Sequence, residues 1–315
     1  MERLQQLASA RNLSAKVAAV VVTYNRKALL LECIECLLDQ TVQDQLDIIV
    51  VDNASTDGTR EALASYENDG SLIYLNTRAN LGGAGGFSFG MREAAERGYG
   101  WAWVMDDDCM PEPTALEALC AAAESLDGKY GFLSSKVLWK DGSICAMNVQ
   151  RKTVFKNVED FSPELVPVEM ASFVSLFVPC QNIRRFGLPI KEFFIWTDDW
   201  EFTRRLSREL PCYLVTSSIV VHKSERNLGA NIATSEIDRI DRFGYLYRND
   251  VVLYRREGAA GFAYEVVRLA GHVLRVLFRA PDHRLTRVRK LVSGTAAGLK
   301  FYPVIEYPGG ACPDD

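Results

Sequence analysis

Residues 101–108 read WAWVMDDD, an apolar run that stops abruptly at three carboxylates, Asp106, Asp107 and Asp108. An extended chain alternates its side chains, so Asp106 and Asp108 are expected on one face and Asp107 on the other. Carboxylates that converge at the end of a buried strand repel one another unless a proton or a cation lies between them. A hard divalent ion, Mn²⁺ or Mg²⁺, suits such oxygen ligands and readily shares its shell with phosphate. The other reading of the triplet is an acidic loop that caps a helix. A second acidic cluster, WTDDWEF (196–202), sets Asp198, Asp199 and Glu201 among Trp196, Trp200 and Phe202. Apolar walls raise a carboxylate's pKa, which suits a general base acting on a sugar hydroxyl. The same acids would also favour the positive end of a helix dipole. His222 follows a run of β-formers, SSIVV, and beside two aspartates would complete a ligand set for Mn²⁺ or Mg²⁺.

The elements that must position these groups are legible as a pattern. VAAVVV (17–22), LDIIVV (46–51), SLIYLN (71–76) and WAWVM (101–105) read as strands. Residues 27–39 carry helical periodicity, STDGT (55–59) supplies turn and N-cap chemistry before a second helix, and FSFGMREAAERG reads as a third. Strands alternating with helices predict a parallel sheet covered on both faces, with ligands outside the carboxyl ends of its strands. TYNR (23–26), DNAST (52–56) and DDD (106–108) all lie at those ends. NLGGAGGF (80–87) reads either as a flexible loop beside a diphosphate, with Arg78 and Asn80 as donors, or as a helix-entry turn. It is not the dinucleotide fingerprint, which would follow the first strand, where TYNR stands instead. Beyond about residue 130 the pattern turns mixed. GFLSSKVLW, SFVSLFVPCQNI and CYLVTSSIVVHK read as strands, 237–256 is aromatic and basic, and 261–292 reads as an amphipathic helix followed by a basic segment, HRLTRVRK.

With 315 residues, 48% of them hydrophobic, the chain can bury an ample core in one large or two moderate domains. A formal charge of −5 gives no support to a nucleic-acid partner. Eight cysteines are scattered, and only Cys33 and Cys36 form a C-x-x-C, inside the helical stretch LLLECIECLLDQ. With no second pair at zinc spacing, buried reduced thiols and a reducing, cytoplasmic compartment are expected. The first sixteen residues are polar and lack the apolar stretch of a signal peptide. No run reaches the ~18 apolar residues of a membrane span, so a soluble or peripheral protein is expected.

In order, VVVTYNR, IIVVDNASTDGT, NTRANLGGAGGF, WVMDDD, GLPIKEFFIWTDDWEF and VVHK resemble the inverting glycosyltransferases of family 2, which adopt the GT-A fold. These segments cover roughly residues 17–223. DDD, GGAGG and FIWTDDWEF are most similar to polymer-building galactofuranosyltransferases, whose relatives include rhamnosyltransferases of bacterial surface polysaccharides. The resemblance implies an α/β GT-A domain over 1–230, with a Rossmann-like, mostly parallel sheet. Its nucleotide half would span about 17–125 and its acceptor half about 126–230, followed by a helical, basic amphipathic region over 231–315. Thr23, Tyr24 and Asn25 would line the nucleotide pocket, and Asp52 would accept from the uracil N3–H. Arg78, Asn80 and Asp107 would face the diphosphate or donor sugar. Asp106, Asp108 and His222 would hold Mn²⁺ or Mg²⁺. Asp199 would be the catalytic base, with Asp198 and Glu201 near the sugars; Trp196 and Trp200 would pack on sugar faces or serve the core.

The implied activity is transfer of galactofuranose from UDP-galactofuranose to a growing, lipid-linked surface glycan such as an O-antigen. The near alternative is a rhamnosyltransferase using dTDP-rhamnose, since uracil and thymine share the N3–H. A nucleotidyltransferase would need a basic glycine-rich loop after the first strand. A non-catalytic carbohydrate-binding protein would not need Asp106, Asp108, Asp199 and His222 together. In the tail, Arg268, Arg275, Arg279, Arg284, Arg287, Arg289 and Lys290 stand among Val, Leu and Phe. Such a segment suits peripheral contact with the anionic cytoplasmic face of the inner membrane. A solvated helix face or a homo-oligomer contact are the alternatives.

Overall fold

The computed structural model describes residues 15–310. The polar N-terminal stretch read above as lacking a signal falls almost wholly outside the described residues. Four strands and three helices alternate first: β1 (Val17–Thr23), α1 (Lys27–Leu38), β2 (Leu46–Asp52), α2 (Thr59–Asn68), β3 (Leu72–Asn76), α3 (Gly82–Arg97) and β4 (Trp101–Asp106). The strands pair in parallel in the order β3-β2-β1-β4. Every residue of β1 is buried, as a strand covered on both faces requires. On α1, Leu30, Cys33, Ile34 and Leu37 are the buried residues, at the spacing of one helix face. The seven described cysteines are free, and Cys33 and Cys36 belong to this packing rather than to a metal or redox pair.

The chain continues through β5 (Cys109–Pro111), α4 (Ala115–Ser125), β6 (Leu133–Trp139), β7 (Arg151–Thr153), β8 (Lys156–Asn157), β9 (Leu165–Pro167), β10 (Leu176–Pro179), α5 (Cys180–Phe186), α6 (Asp198–Ser207) and β11 (Tyr213–His222). Antiparallel β10 joins β4 to β6, and the path ends β6-β11-β5, with β9 also pairing β11. Only Asp107 and Asp108 separate β4 from β5, although three strands stand between them in the sheet. Four strand spacings would be about 19 Å in a flat sheet, whereas three Cα steps reach at most about 11 Å. The sheet therefore curls, and the aspartates sit where it closes on itself. Three helices follow, α7 (Phe243–Arg255), α8 (Gly258–Arg279) and α9 (Arg284–Leu299), so the basic segment HRLTRVRK is itself the start of a helix.

The glycine-rich stretch departs from the loop reading. α3 begins at Gly82, and Gly83, Gly85, Gly86 and Gly90 are helical. They allow the helix to lie close on the sheet. A Cβ on Gly90 would stand 2.3 Å from Val20 Cγ1 and 2.9 Å from Val51 Cγ2, and one on Gly86 would stand 2.5 Å from Val22 Cγ1. Gly82, at φ +71°, touches the Phe194 carbonyl so closely that a Cβ would fall 2.0 Å from its oxygen. Gly90→Ala is therefore expected to cost about 1–3 kcal/mol by overpacking, read as a drop of several degrees in Tm. Gly83, where a Cβ would meet nothing within 4 Å, should tolerate Ala with an unchanged or raised Tm. Equal melting of the two variants would remove the close-packing role.

Candidate active site

β4 is extended only to Asp106; Asp107 and Asp108 form the turn to β5. The expected alternation ends there, and Asp107 and Asp108 share a partner instead of facing apart. Arg26 Nη1, from the loop after β1, donates to Asp108 Oδ2 at 2.6 Å and approaches Asp107 Oδ1 at 3.4 Å. Thr23 Oγ1, at the end of β1, donates to Asp107 Oδ2 at 2.8 Å. Burial pushes Asp107 up to about 6 despite Arg26 and Thr23. Asp106 is pushed up to about 7 by burial and then by the charge of Asp108. Its carboxylate makes no hydrogen bond among the described residues. One guanidinium thus stands against three carboxylates.

His222 ends β11, beside Cys109 of β5 and Trp139 of β6. Its Nε2 lies 3.0 Å from Asp108 Oδ1 and its Nδ1 lies 2.8 Å from Asn148 Oδ1. Asn148 Nδ2 donates to Ser172 Oγ, and the Cys145 thiol donates to Asn148 Oδ1, which fixes that oxygen as an acceptor. His222 Nδ1 must then carry a proton, and Nε2 is the atom turned to Asp108. A neutral imidazole would present a lone pair there to a carboxylate oxygen, so the gap needs a proton or a metal cation. With the proton, the bond to Asp108 overcomes burial and pushes His222 up to about 10. On the other side burial, which alone would raise Asp108, is outweighed by His222 and Arg26, and its carboxyl stays below the ordinary value. Asp108, Cys109 and His222 each place a ligand atom within 4.8 Å of the others. Burial keeps the Cys109 thiol protonated, leaving oxygen and imidazole nitrogen as the donors. That set, with unpartnered Asp106 nearby, fits a hard divalent ion.

Facing this cluster is the segment ahead of α6. Phe194, Trp196 and Thr197 all have positive φ, at +66°, +66° and +70°. β-branched Thr and bulky aromatics adopt that region only when their surroundings enforce it. The enforcement comes from α7. Asn249 Nδ2 lies within hydrogen-bond reach of the carbonyls of Phe193, Ile195 and Trp196, and Thr197 Oγ1 donates to Asp250 Oδ1 at 2.6 Å. Arg268 of α8 pairs with Asp250 at 2.6 Å and with Glu265 at 2.7 Å. So held, Asp198 and Asp199 open the first turn of α6. Burial pushes Asp198 up to about 6. Asp199 is driven well above the carboxylate range, first by burial, then by Asp198, and also by Asp106. That last influence sets the two acidic clusters within electrostatic reach of one another.

Other residues singled out in the sequence lie elsewhere. Glu201 is buried in ion pairs with Arg205, at 3.0 Å, and Arg256, so it does not face the sugars. Two residues along a helix turn it about 200° from Asp199. Trp200 is covered by the Arg151 guanidinium, 4.0 Å from its ring centroid, and packs on Leu253 and Tyr254. Trp196 packs on Phe243 with ring centroids 5.1 Å apart. Both are core residues in this arrangement. Asp52 is wholly buried, accepting from Ser55 N–H at 2.8 Å and Tyr74 O–H at 2.6 Å. Asn25 Oδ1 accepts from Thr56 N–H at 2.7 Å, binding the β1 loop to the β2 loop beside half-exposed Tyr24. Asn80 Oδ1 accepts from Gly82 N–H at 2.9 Å and so caps α3, while exposed Arg78 has φ +61°.

Arg26, Asn148 and Asn249 were not foreseen. An arginine directly after a strand whose neighbour ends in DDD was the available signal for the first; the asparagines act across 74 and 53–56 residues of chain, which no local pattern encodes. Arg26 holds the oxygen that a metal would want. Arg26→Gln is expected to tighten Mn²⁺ binding without nucleotide by about tenfold, the worth of ~1.4 kcal/mol. Titration calorimetry showing unchanged affinity would mean that the guanidinium does not compete.

Residues 18–130 match the family model described as glycosyl transferase family 2. Galactofuranosyltransferase GlfT1 of Mycolicibacterium smegmatis is 29% identical over 259 residues, covering 77% of this chain and 84% of that protein. GlfT1 of Mycobacterium tuberculosis is 30% identical over 206 residues, 62% of this chain and 66% of that protein. Among solved structures, mannosyltransferase PcManGT from Pyrobaculum calidifontis, in complex with GDP-Man and Mn²⁺, superposes with TM-score 0.54 at 15% identity, over 96% of this chain and 83% of that one. S. aureus TarS 1–349 in complex with UDP-GlcNAc gives 0.53 at 15% identity, over 91% and 73%. The chain therefore carries a family 2 glycosyltransferase domain on a GT-A fold, and its activity class is glycosyl transfer.

Proposed function

We propose that the chain moves galactofuranose from UDP-galactofuranose onto a growing, lipid-linked bacterial surface glycan, at the cytoplasmic face of the inner membrane. The observation that supports the catalytic reading is the gathering of buried Asp107, Asp108 and His222 through Thr23 and Arg26, with Asp199 close enough to Asp106 to feel its charge. The choice of sugar is supported by the two galactofuranosyltransferase relatives. Asp106, Asp108 and His222 would hold Mn²⁺ or Mg²⁺, which when bound offsets the charge gained by a diphosphate leaving group.

The chain's own groups do the rest. Asp199 takes the proton of an acceptor hydroxyl, whose oxygen attacks the anomeric carbon opposite the departing UDP and inverts it. Its raised pKa gives it proton affinity for that role. Asn249 and Asp250 hold the base in place, and Asn148 keeps His222 Nε2 turned toward Asp108. Arg26, with its side chain half exposed, is free to follow negative charge from Asp108 to the diphosphate.

Donor identity is read by UDP or dTDP release with Mn²⁺, from UDP-galactofuranose, UDP-galactopyranose and dTDP-rhamnose, with and without a lipid-linked glycan. Acceptor-stimulated release from UDP-galactofuranose alone is expected; release only from dTDP-rhamnose would replace the donor. Asp199→Asn should lower transfer by roughly 10²–10⁴-fold with UDP affinity nearly intact. Because the base works only when ionised, wild-type transfer should rise with pH through a midpoint displaced above the ordinary carboxylate value. A flat profile, or a variant that transfers normally, would take Asp199 out of the role.

A further inference from the structure

α8 packs inward with apolar and charged groups together: Val276, with Leu269 and Val273, joins a buried cluster, while Glu265, Arg268 and His272 are tied to Asp250 and Tyr247 of α7. Its exposed side carries Phe262, Val266, Val267, Leu274, Leu277 and Phe278 with small Ala and Gly between them, and Arg275 and Arg279 at its C-terminal end. Phe262 is 62% exposed, Val267 71% and Phe278 78%. At 1.5 Å per residue this stripe runs about 24 Å. Large apolar side chains gathered on an exposed helix face, in place of the usual polar one, mark a docking surface.

Charge selects the occupant. Of the seven cations read from the sequence, Arg268, Arg287 and Lys290 are committed to ion pairs with Asp250, Asp282 and Asp241. Arg275, Arg279, Arg284 and Arg289 remain exposed, with no ion pair among the described residues. Residues 258–300 contain two acids only, Glu265 and Asp282, both paired with arginine. A second copy packed on this face would offer these arginines no free acid from its own residues 258–300. The stripe, roughly 24 Å by 10 Å, would also bury far less than the ~800 Å² per partner of a stable interface. An anionic lipid surface supplies both missing complements, hydrocarbon for the stripe and phosphate for its cationic end. No helix among the described residues is long and apolar enough to cross a membrane, so α8 would lie in the interface plane.

We propose that the outward face of α8 inserts into the headgroup boundary of an anionic bilayer, with Arg275, Arg279, Arg284 and Arg289 on lipid phosphates. The inference is independent of which sugar is moved. It corrects the sequence expectation in one respect: apolar insertion is central, and fewer than all the tail's cations take part.

The test is co-sedimentation of the full chain with vesicles of phosphatidylglycerol and phosphatidylcholine in equal parts, against phosphatidylcholine alone. Wild type should partition about tenfold or more into the anionic vesicles. Phe262→Ser with Phe278→Ser should lose about tenfold or more of that binding, with Tm unchanged because both rings are exposed. Arg275→Gln with Arg279→Gln should weaken binding to anionic vesicles only, and salt should reproduce the loss. Absence of binding by a folded wild type would overturn the proposal. So would a wild-type dimer in sedimentation velocity that the two serines convert to monomer, since the face would then belong to a second copy.

Discussion

Five carboxylates, Asp106, Asp107, Asp108, Asp198 and Asp199, lie within electrostatic reach of one another in two neighbouring clusters, and the structure around them is organised by their mutual repulsion. In a medium that screens poorly, such charges persist only with counter-charge or bound protons. Each available device is in use. Arg26 reaches in from the β1 loop, His222 supplies a proton to Asp108, Thr23 donates to Asp107, and Asp106 and Asp199 are driven toward the neutral form. A site that holds protons this readily is prepared to exchange them for a metal or for the proton of a substrate.

Asp198 and Asp199 reach their place through strain absorbed elsewhere. Three non-glycine residues at positive φ are unfavourable by a kcal/mol or more each, on the order of 1–3. Asn249 offsets this by bonding the carbonyls that the unusual backbone exposes, and Asp250 by holding Thr197. The C-terminal helices are therefore part of the scaffold that positions Asp198 and Asp199 rather than an appendage. The ion pairs of Arg268 extend the same scaffold into α8, so the helix whose outer face is apolar is also the helix that steadies the base loop.

Much of this was legible in the residues. The alternation of β1 to β4 with helices, the placing of polar clusters at strand ends, and the pairing of DDD with His222 all follow from local pattern. Where reading failed, a longer-range force had taken over. NLGGAGGF could be read as a loop because isolated helices disfavour glycine, yet at Gly86 and Gly90 the side chains of Val20, Val22 and Val51 leave room for nothing larger. Glu201 looks like a third acid of the site, but helix rotation carries it to Arg205 and Arg256. For the tryptophans both readings stood open, and Arg151 and Phe243 pack against them as a core role requires. In the tail, the amphipathic period was evident, whereas the direction of the apolar face depended on where Asp250 drew Arg268.

The two-residue turn between β4 and β5 has a consequence for biosynthesis. Asp107 and Asp108 carry the chain from the parallel half of the sheet to its far edge, and among the described residues β5 finds its one strand partner in β11. Residues 15–108 can form their parallel sheet as they leave the ribosome, but His222 arrives more than a hundred residues later. Until then the nascent domain holds an acidic knot with no imidazole to answer it, and Arg26 alone restrains the repulsion. The imidazole that answers Asp108 is thus among the last parts of the sheet to be assembled.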